Sequence, residues 1–380
     1  MTTKTNQSNN IIIVGGGLAG LTCALHLLKE GFEVTLIEKN EYPHHKVCGE
    51  YISNEVLPYL QWLDADPQQL LPVTINRLSV SALNGKVIGC DLPLGGFGLS
   101  RFALDSFLYE KTIRRGCNVI KDRVTDIIFK NNDFELTTSK TGTLKADLVI
   151  GAFGKRSALD QKLSRGFMHK KSPWLAVKAH YSGIIPSDLV QLHNFAGGYC
   201  GVSTIENKQI NICYLADYES FKAYRNLEDF QKKVLYKNPQ LQKIFEESTM
   251  LFDQPLTISQ ISFAKKELVY NHVLMIGDTA GLIHPLCGNG MAMAIHSAKI
   301  CAELSIQYLN SSLISRTALE NQYTNIWNAN FKNRLMIGRF LSGIIKEDKL
   351  FKPMQHLLAH FPSSLSLIVK MTHGKPIICE

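Results

Sequence analysis

Residues 11–28 read IIIVGGGLAGLTCALHLL, 18 positions without a charge that contain four glycines. Eighteen apolar residues sit at about the lower limit for crossing a bilayer. Gly15, Gly16 and Gly17, however, would break a helix four residues in. The run reads instead as a short buried strand, a tight turn and a helix. The turn, Gly15-Gly16-Gly17-Leu18-Ala19-Gly20, is GxGxxG, and Glu38 closes the next strand 18 residues after Gly20. Gly15 permits the turn, Gly17 lets the backbone approach a diphosphate, and Gly20 lets helix and strand pack closely. The helix N-terminus, at Leu18 and Ala19, offers free N–H groups and its dipole to negative charge. Glu38, followed by Lys39, can accept hydrogen bonds from both ribose hydroxyls and would repel a 2′-phosphate. A dinucleotide site is the expectation.

The rest of the chain alternates in the same manner. Ile11–Val14, Leu18–Glu30 and Glu33–Ile37 read as strand, helix and strand, a βαβ unit opening a parallel sheet. Arg101–Gly116 reads as a helix with apolar Phe102, Leu104, Phe107, Leu108 and Ile113. Val119–Ile120, Val124–Phe129, Phe134–Thr138 and Leu148–Ile150 follow as strands. Strand-like runs dominate from Pro173 to Thr257, among them Trp174–Tyr181 and Gln209–Tyr214, with one polar helix at Leu227–Tyr236. Val273–Gly277 reads as a strand and Gly290–Leu309 as a helix. From Leu319 onward the chain reads as helical, with Pro353 and Pro362 as interruptions. The expected class is α/β, a discontinuous Rossmann-type nucleotide domain (1–72, 98–165 and 265–315). It carries an inserted antiparallel-sheet substrate domain (73–97 and 166–264) and a helical C-terminal region (316–380).

Three later motifs choose between FAD and NAD. Gly98-Leu99-Ser100-Arg101-Phe102-Ala103-Leu104-Asp105 resembles the arginine-centred segment of flavoprotein hydroxylases and geranylgeranyl reductases. Ala146-Asp147-Leu148-Val149-Ile150-Gly151-Ala152-Phe153-Gly154 resembles their second motif, and Leu274-Met275-Ile276-Gly277-Asp278 running on to Gly288-Asn289-Gly290-Met291 resembles the third. The resemblance, over residues 11–310, implies non-covalent FAD. Arg101 would reach its diphosphate or ribityl chain and Asp278 a ribityl hydroxyl. The helix after Gly290 would point its N–H groups at the flavin pyrimidine edge, where a positive end stabilises the reduced anion. Val124, Gly154, Gly288 and Met291 belong to the same implied set.

Departures from that family are as informative. Phe153 replaces the aspartate associated with NAD(P)H handling, which puts the usual use of a nicotinamide donor in question and leaves an external electron donor open. Lys46-Val47-Cys48-Gly49-Glu50 resembles the Pro-Cys-Gly segment of geranylgeranyl reductases, in which a cysteine approaches the flavin, with Glu50 in place of a small residue. Cys48 is therefore a catalytic candidate as proton donor. The reductases' Trp-x-Phe-Pro segment is replaced by Gly197-Gly198-Tyr199-Cys200-Gly201-Val202-Ser203, and the Trp-x-Trp-x-Ile-Pro of flavin-dependent halogenases is absent. Lys178 and His180 share one side of a strand and are expected on the wall of the substrate cavity, Lys178 as a catalytic group. Tyr199 and His284 complete the expected substrate contacts.

With 380 residues, 45% of them hydrophobic and 19% charged, the composition is that of a globular chain and excludes a disordered or fibrous one. Nine scattered cysteines without a CxxC argue against a disulfide framework or structural zinc, and for reduced thiols in the cytoplasm. The net charge of +8 gathers at Lys111/Arg114/Arg115, Lys155/Arg156 and Lys162–Lys171, a pattern suited to an acidic, phosphate- or thioester-carrying substrate or an anionic lipid surface. No nucleic-acid motif is present. The amphipathic stretch Leu335–Val369 leaves three roles open: a cover for the cavity, a core helix pair, or peripheral contact with the inner membrane face. The activity expected is hydride or electron transfer through flavin N5 to or from a hydrophobic unsaturated substrate. A monooxygenase using NAD(P)H and O2 is the alternative, and a non-catalytic flavin or lipid binder the third reading.

Overall fold

A computed structural model describes residues 10–169, 172–224, 226–346 and 362–379. Pro353, Lys170 and Lys171 lie outside them. Residues 11–28 resolve into the strand Ile11–Val14 and the helix Leu18–Lys29. Among the described residues, no helix is long and apolar enough to cross a membrane.

Ile11–Val14 is the centre of a six-stranded sheet. Across it the order is Val269–Tyr270, Val273–Met275, Leu148–Gly151, Ile11–Val14, Val34–Glu38 and Asn118–Lys121. All neighbours are parallel except the first pair. Leu148–Gly151 and Ile11–Val14 are buried throughout, as strands covered on both faces must be, and so read as unbroken apolar runs rather than alternations. Leu18–Lys29 and Gly290–Asn310 pack against each other. The crossover carries a three-stranded meander, Val124–Lys130, Asp133–Thr138 and Thr143–Ala146, whose middle strand alternates exposed and buried residues.

A nine-stranded sheet forms the second layer. Trp174–Ser182, Ile210–Asp217, Gly198–Thr204 and Leu189–Phe195 pair antiparallel in that order. Leu189–Phe195 then lies parallel to Val73–Ser81, which forms a hairpin with Val87–Gly98. Tyr51–Ser53 closes the far edge against Val87–Gly98. The polar helix expected at Leu227–Tyr236 is Leu227–Lys233, and a second, Pro239–Glu246, follows it with Asn238 as N-cap. Arg101–Arg114 is helical as expected, but Phe102 and Ile113 face solvent rather than the core.

The long helix Arg316–Lys346 and the helix Pro362–Thr372 close the molecule over this sheet. Leu365 and Val369 pack with Tyr51, Ile75, Leu78 and Leu92. Within the amphipathic stretch 335–369, Leu365 and Val369 thus sit against the sheet as a cover would, and residues 347–361 lie outside the described residues.

Candidate active site

The glycine turn is fixed by what touches it. Gly15 has φ +109°, and a Cβ there would collide with the Ala152 carbonyl group. A Cβ on Gly20 would collide with the Gly15 carbonyl oxygen, so strand and helix can meet only over glycine. Gly16 N donates to Glu38 Oε2 at 2.7 Å and Asn40 N to Glu38 Oε1 at 2.8 Å. Tyr42 donates its hydroxyl to the Gly16 carbonyl. Glu38 thus shapes the turn with both oxygens, and keeps spare lone pairs on the cavity it lines.

Gly17 stands at the start of the helix with open space beside it. A Cβ there would lie 3.8 Å from Arg101 Nη2 and 3.8 Å from Lys46 Nζ, its nearest neighbours. Both cations are anchored on Asp105, Arg101 through Nε at 2.7 Å and Nη2 at 2.7 Å, Lys46 through Nζ at 2.8 Å. Burial alone pushes the Asp105 carboxyl up, but Arg101 and then Lys46 outweigh it and hold it below the usual carboxylate range. Two cations on one anion leave a net positive charge above the free N–H groups of a helix, a seat for a diphosphate. Lys46 escaped the sequence reading, because nothing in the spacing connects it with Arg101 and Asp105.

Opposite, Gly154 N donates to Thr279 Oγ1 at 2.7 Å and joins the second and third motifs. Two buried cations that the sequence reading did not single out brace them. Lys266 Nζ donates to the carbonyls of Lys155 at 2.8 Å and Asp278 at 2.7 Å. Arg165 Nη1 donates to Thr279 O at 3.0 Å and to Asp160 at 2.8 Å. Arg165 belongs to the run Lys162–Lys171 taken as an attractive basic surface, and it is fully buried.

One cavity of about 700 Å³ joins all this to the large sheet. Gly15, Gly17, Leu18, Ala19, Glu38 and Lys39 line it, as do Arg101, Val124, Gly154, Asp278, Gly288, Gly290 and Met291. So do Cys48, Gly49 and Tyr199. The remaining wall is apolar, with Leu78, Val80, Leu92, Leu192, Leu365 and Val369 among its residues. A glycine seat with two cations, a carboxylate at the end of the second strand and an extended cavity between two sheets fit FAD. The seat would hold the diphosphate, Glu38 the adenosine ribose and Asp278 the ribityl chain.

Four expected site residues do not line the cavity. Gly20 acts through packing alone. Lys178 and His180 do share one side of the strand Trp174–Ser182, but both are buried against Glu50. Lys178 Nζ reaches Glu50 Oε1 at 2.5 Å, and His180 Nε2 reaches Oε2 at 2.7 Å. Neither is a wall group, because a carboxylate 128 residues away from Lys178 in sequence takes up its charge. His284 sits among the rings of Phe263 (4.6 Å), Tyr199 (5.7 Å) and Trp174 (5.8 Å). Burial pushes its pKa down to about 3, so it is a neutral ring in an aromatic cluster. Cys213, which the sequence reading passed over, does line the cavity, and burial pushes its thiol up to about 12.

Residues 10–49 match the family described as FAD dependent oxidoreductase. A tryptophan 2-halogenase of Chondromyces crocatus is 23% identical over 378 residues, covering 92% of this chain and 71% of its own. A digeranylgeranylglycerophospholipid reductase of Methanosphaera stadtmanae is 23% identical over 333 residues, covering 83% of this chain and 79% of its own. Among solved structures, a flavin-dependent brominase superposes with TM-score 0.77 at 16% identity over 95% of this chain and 93% of its own. A halogenase variant in complex with FAD superposes with TM-score 0.75 at 15% identity over 97% of this chain and 87% of its own.

Proposed function

We propose that this chain, an FAD-dependent oxidoreductase resembling the geranylgeranyl reductases and the flavin-dependent halogenases, transfers hydride or electrons to or from an apolar unsaturated substrate. The observation that carries this reading is the single cavity in which the dinucleotide seat runs into an aliphatic wall. FAD, when bound, supplies two-electron chemistry at its N5 atom.

The residues of this chain do the rest. Lys46, Arg101 and the helix Leu18–Lys29 would hold the diphosphate, and Glu38 the ribose. Gly290, which lines the cavity, opens the 21-residue helix Gly290–Asn310. Its N-terminal dipole favours negative charge at that end. Leu365 and Val369 cover the apolar side and exclude water. Reduction of a carbon–carbon double bond also needs a proton, and Cys48 Sγ is the group on the wall that we assign to hold it. Lys155 and Arg156, also on the wall, suit a phosphate- or carrier-linked substrate. Met336, Phe340, Leu367 and Met371, exposed on the covering helices, suit contact with a lipid surface from which such a substrate would enter. Flotation with anionic vesicles, expected to carry the protein upward, checks that contact.

Anaerobic spectroscopy tests the reaction. Phe153 lines the cavity where the family carries an aspartate, so NADPH and NADH are expected to bleach bound flavin slowly or not at all. Flavin reduced by dithionite is expected to be reoxidised without oxygen by a polyisoprenoid substrate. The likeness to halogenases supports a second reading, oxygen-dependent hydroxylation or halogenation. Reoxidation only after air is admitted, with an oxygenated or halogenated product, would replace the first reading by the second. Within the first, Cys48→Ser is expected to slow product formation about 10²-fold while leaving FAD binding intact; an unchanged rate removes Cys48 from the mechanism.

A further inference from the structure

Lys178 and His180 lie off the cavity and Glu50 borders it, yet the three hold a full ion pair in the interior. Glu50 is completely buried and adopts φ +55°, a left-handed backbone that a non-glycine residue takes only when its surroundings impose it. Three donors converge on its carboxylate: Lys178 Nζ at 2.5 Å and Arg101 N at 2.7 Å on Oε1, and His180 Nε2 at 2.7 Å on Oε2. Burial opposes its ionisation, and His180 and Lys178 outweigh burial.

The same ammonium also donates to the Lys46 carbonyl at 3.2 Å, so Lys178 grips both ends of the segment Lys46–Glu50. The carbonyls between are held in the same manner. Val47 O accepts from Lys155 Nζ at 3.0 Å, Cys48 O from Asn211 Nδ2 at 3.2 Å and Gly49 O from Ser203 Oγ at 3.3 Å. Lys178, Asn211 and Ser203 all project from the nine-stranded sheet. Planar trans peptides set each carbonyl opposite the next residue's N–H. Drawing the carbonyls of Lys46, Cys48 and Gly49 to the sheet therefore turns the N–H groups of Val47, Gly49 and Glu50 away from it.

We infer that Glu50, Lys178 and His180 are positioning residues: a buried ionic clamp that fixes the Lys46–Glu50 segment, and with it Cys48 and the Arg101 helix start, against the nine-stranded sheet. Lys178 and His180 act through Glu50 and touch no substrate. The clamp couples the two sheets at the segment that faces the cavity. It rests on the reading that FAD occupies this cavity only for its second readout.

The first readout needs no cofactor. In the flavin-free full chain, the rate at which iodoacetamide alkylates Cys48 is followed by peptide mass. Glu50→Gln and Lys178→Met are each expected to raise it at least fivefold, and His180→Ala likewise. His180→Gln, which keeps a side-chain donor, is expected to stay near wild type. The second readout is the flavin midpoint potential. Removing the anion leaves an unpaired cation and removing the cation an unpaired anion, so the two variants should shift the reduction equilibrium in opposite senses. Glu50→Gln is expected to favour reduction and Lys178→Met to oppose it, each about tenfold, about 30 mV for a two-electron couple. A purely structural role would not produce opposite signs. If the single variants do not fold, Glu50→Gln/Lys178→Met, which leaves neither charge buried, decides by its Cys48 rate. A wild-type rate in folded Glu50→Gln or in the double variant overturns the clamp, as do potential shifts of the same sign.

Discussion

Burial gives Lys266 a pH signature. Burial pushes its pKa down to about 8, against the partial support of Asp160 and Asp278. An unfolded lysine titrates near 10.4. Between those values the unfolded chain holds a proton that the folded chain has released, so stability rises with pH across that window and stays lower below it. Lys266→Met removes the titration. Urea unfolding at pH 7.5 and pH 10 should show the stability of wild type relative to this variant growing by about 2 kcal/mol. Equal gaps at the two pH values would mean that Lys266 is not buried as a cation. Glu38 makes a different kind of prediction. Glu38→Ala removes the acceptor shared by Gly16 N and Asn40 N, so the turn and the ribose contact are lost together. FAD affinity should fall about 10- to 100-fold, as for charged hydrogen bonds of about 1.5–3 kcal/mol, while the flavin-free protein, its Gly16 and Asn40 N–H groups left without their acceptor, stays folded but loses about 1–3 kcal/mol of stability. Flavin retained after gel filtration measures it.

Helices and loops meet at one buried carboxylate, that of Glu55. Glu55 Oε1 accepts from Asn289 Nδ2 at 2.9 Å and lies 3.8 Å from Arg334 Nη1, its Oε2 accepts from Gly374 N, and its carbonyl accepts from Ile377 N at 2.8 Å. It therefore ties the covering helix Arg316–Lys346 and the tail after Pro362–Thr372 to the loop that precedes Gly290. Burial raises the Glu55 pKa, so the charge itself is a cost and the hydrogen bonds are the gain. Glu55→Gln should stay within about 1 kcal/mol of wild type. Glu55→Ala, which orphans the Asn289 and Gly374 donors, should lose about 2–4 kcal/mol and expose the tail beyond Thr372 to proteinase K at Ile377 and Ile378. Comparable digestion of the two variants would contradict the tie. Contacts of this kind explain what was legible in the sequence. The Gly15–Gly20 turn and Glu38 could be read because their chemistry is local, a strand, a turn and a helix within a few residues of each other, whereas Arg101 and Asp278 were reached through the motifs that resemble those of the flavoprotein family. Glu55 with Asn289 and Glu50 with Lys178 could not, since each pairing depends on where two distant loops come to rest. Lys178 and His180 were placed on the correct strand and the same side of it. What the period of a strand cannot tell is whether that side meets a cavity or another segment's carboxylate.

The whole molecule is organised around a cavity that neither sheet owns. The parallel sheet supplies the dinucleotide seat, the nine-stranded sheet the apolar wall, and the C-terminal helices the cover. A ligand that requires all three binds only the fully assembled chain, so its binding energy must appear in the stability of every part at once. At 100 times its dissociation constant, a ligand that binds only the native state adds about 2.7 kcal/mol. For a chain longer than 250 residues that corresponds to a rise of about 3–6 °C in melting temperature. Trp174 begins the strand Trp174–Ser182 in the inserted sheet, whereas Trp62 and Trp327 pack with the parallel-sheet core. A Trp62→Phe/Trp327→Phe variant leaves Trp174 as a fluorescent reporter of the inserted sheet, to be compared with helical circular dichroism dominated by the rest. FAD should raise both transitions by the same amount, and they should coincide with and without it. A Trp174 transition that stays in place while the dichroism transition moves would show that the inserted sheet unfolds independently of the flavin site, and the cavity could not then deliver substrate and cofactor to each other as one rigid enclosure.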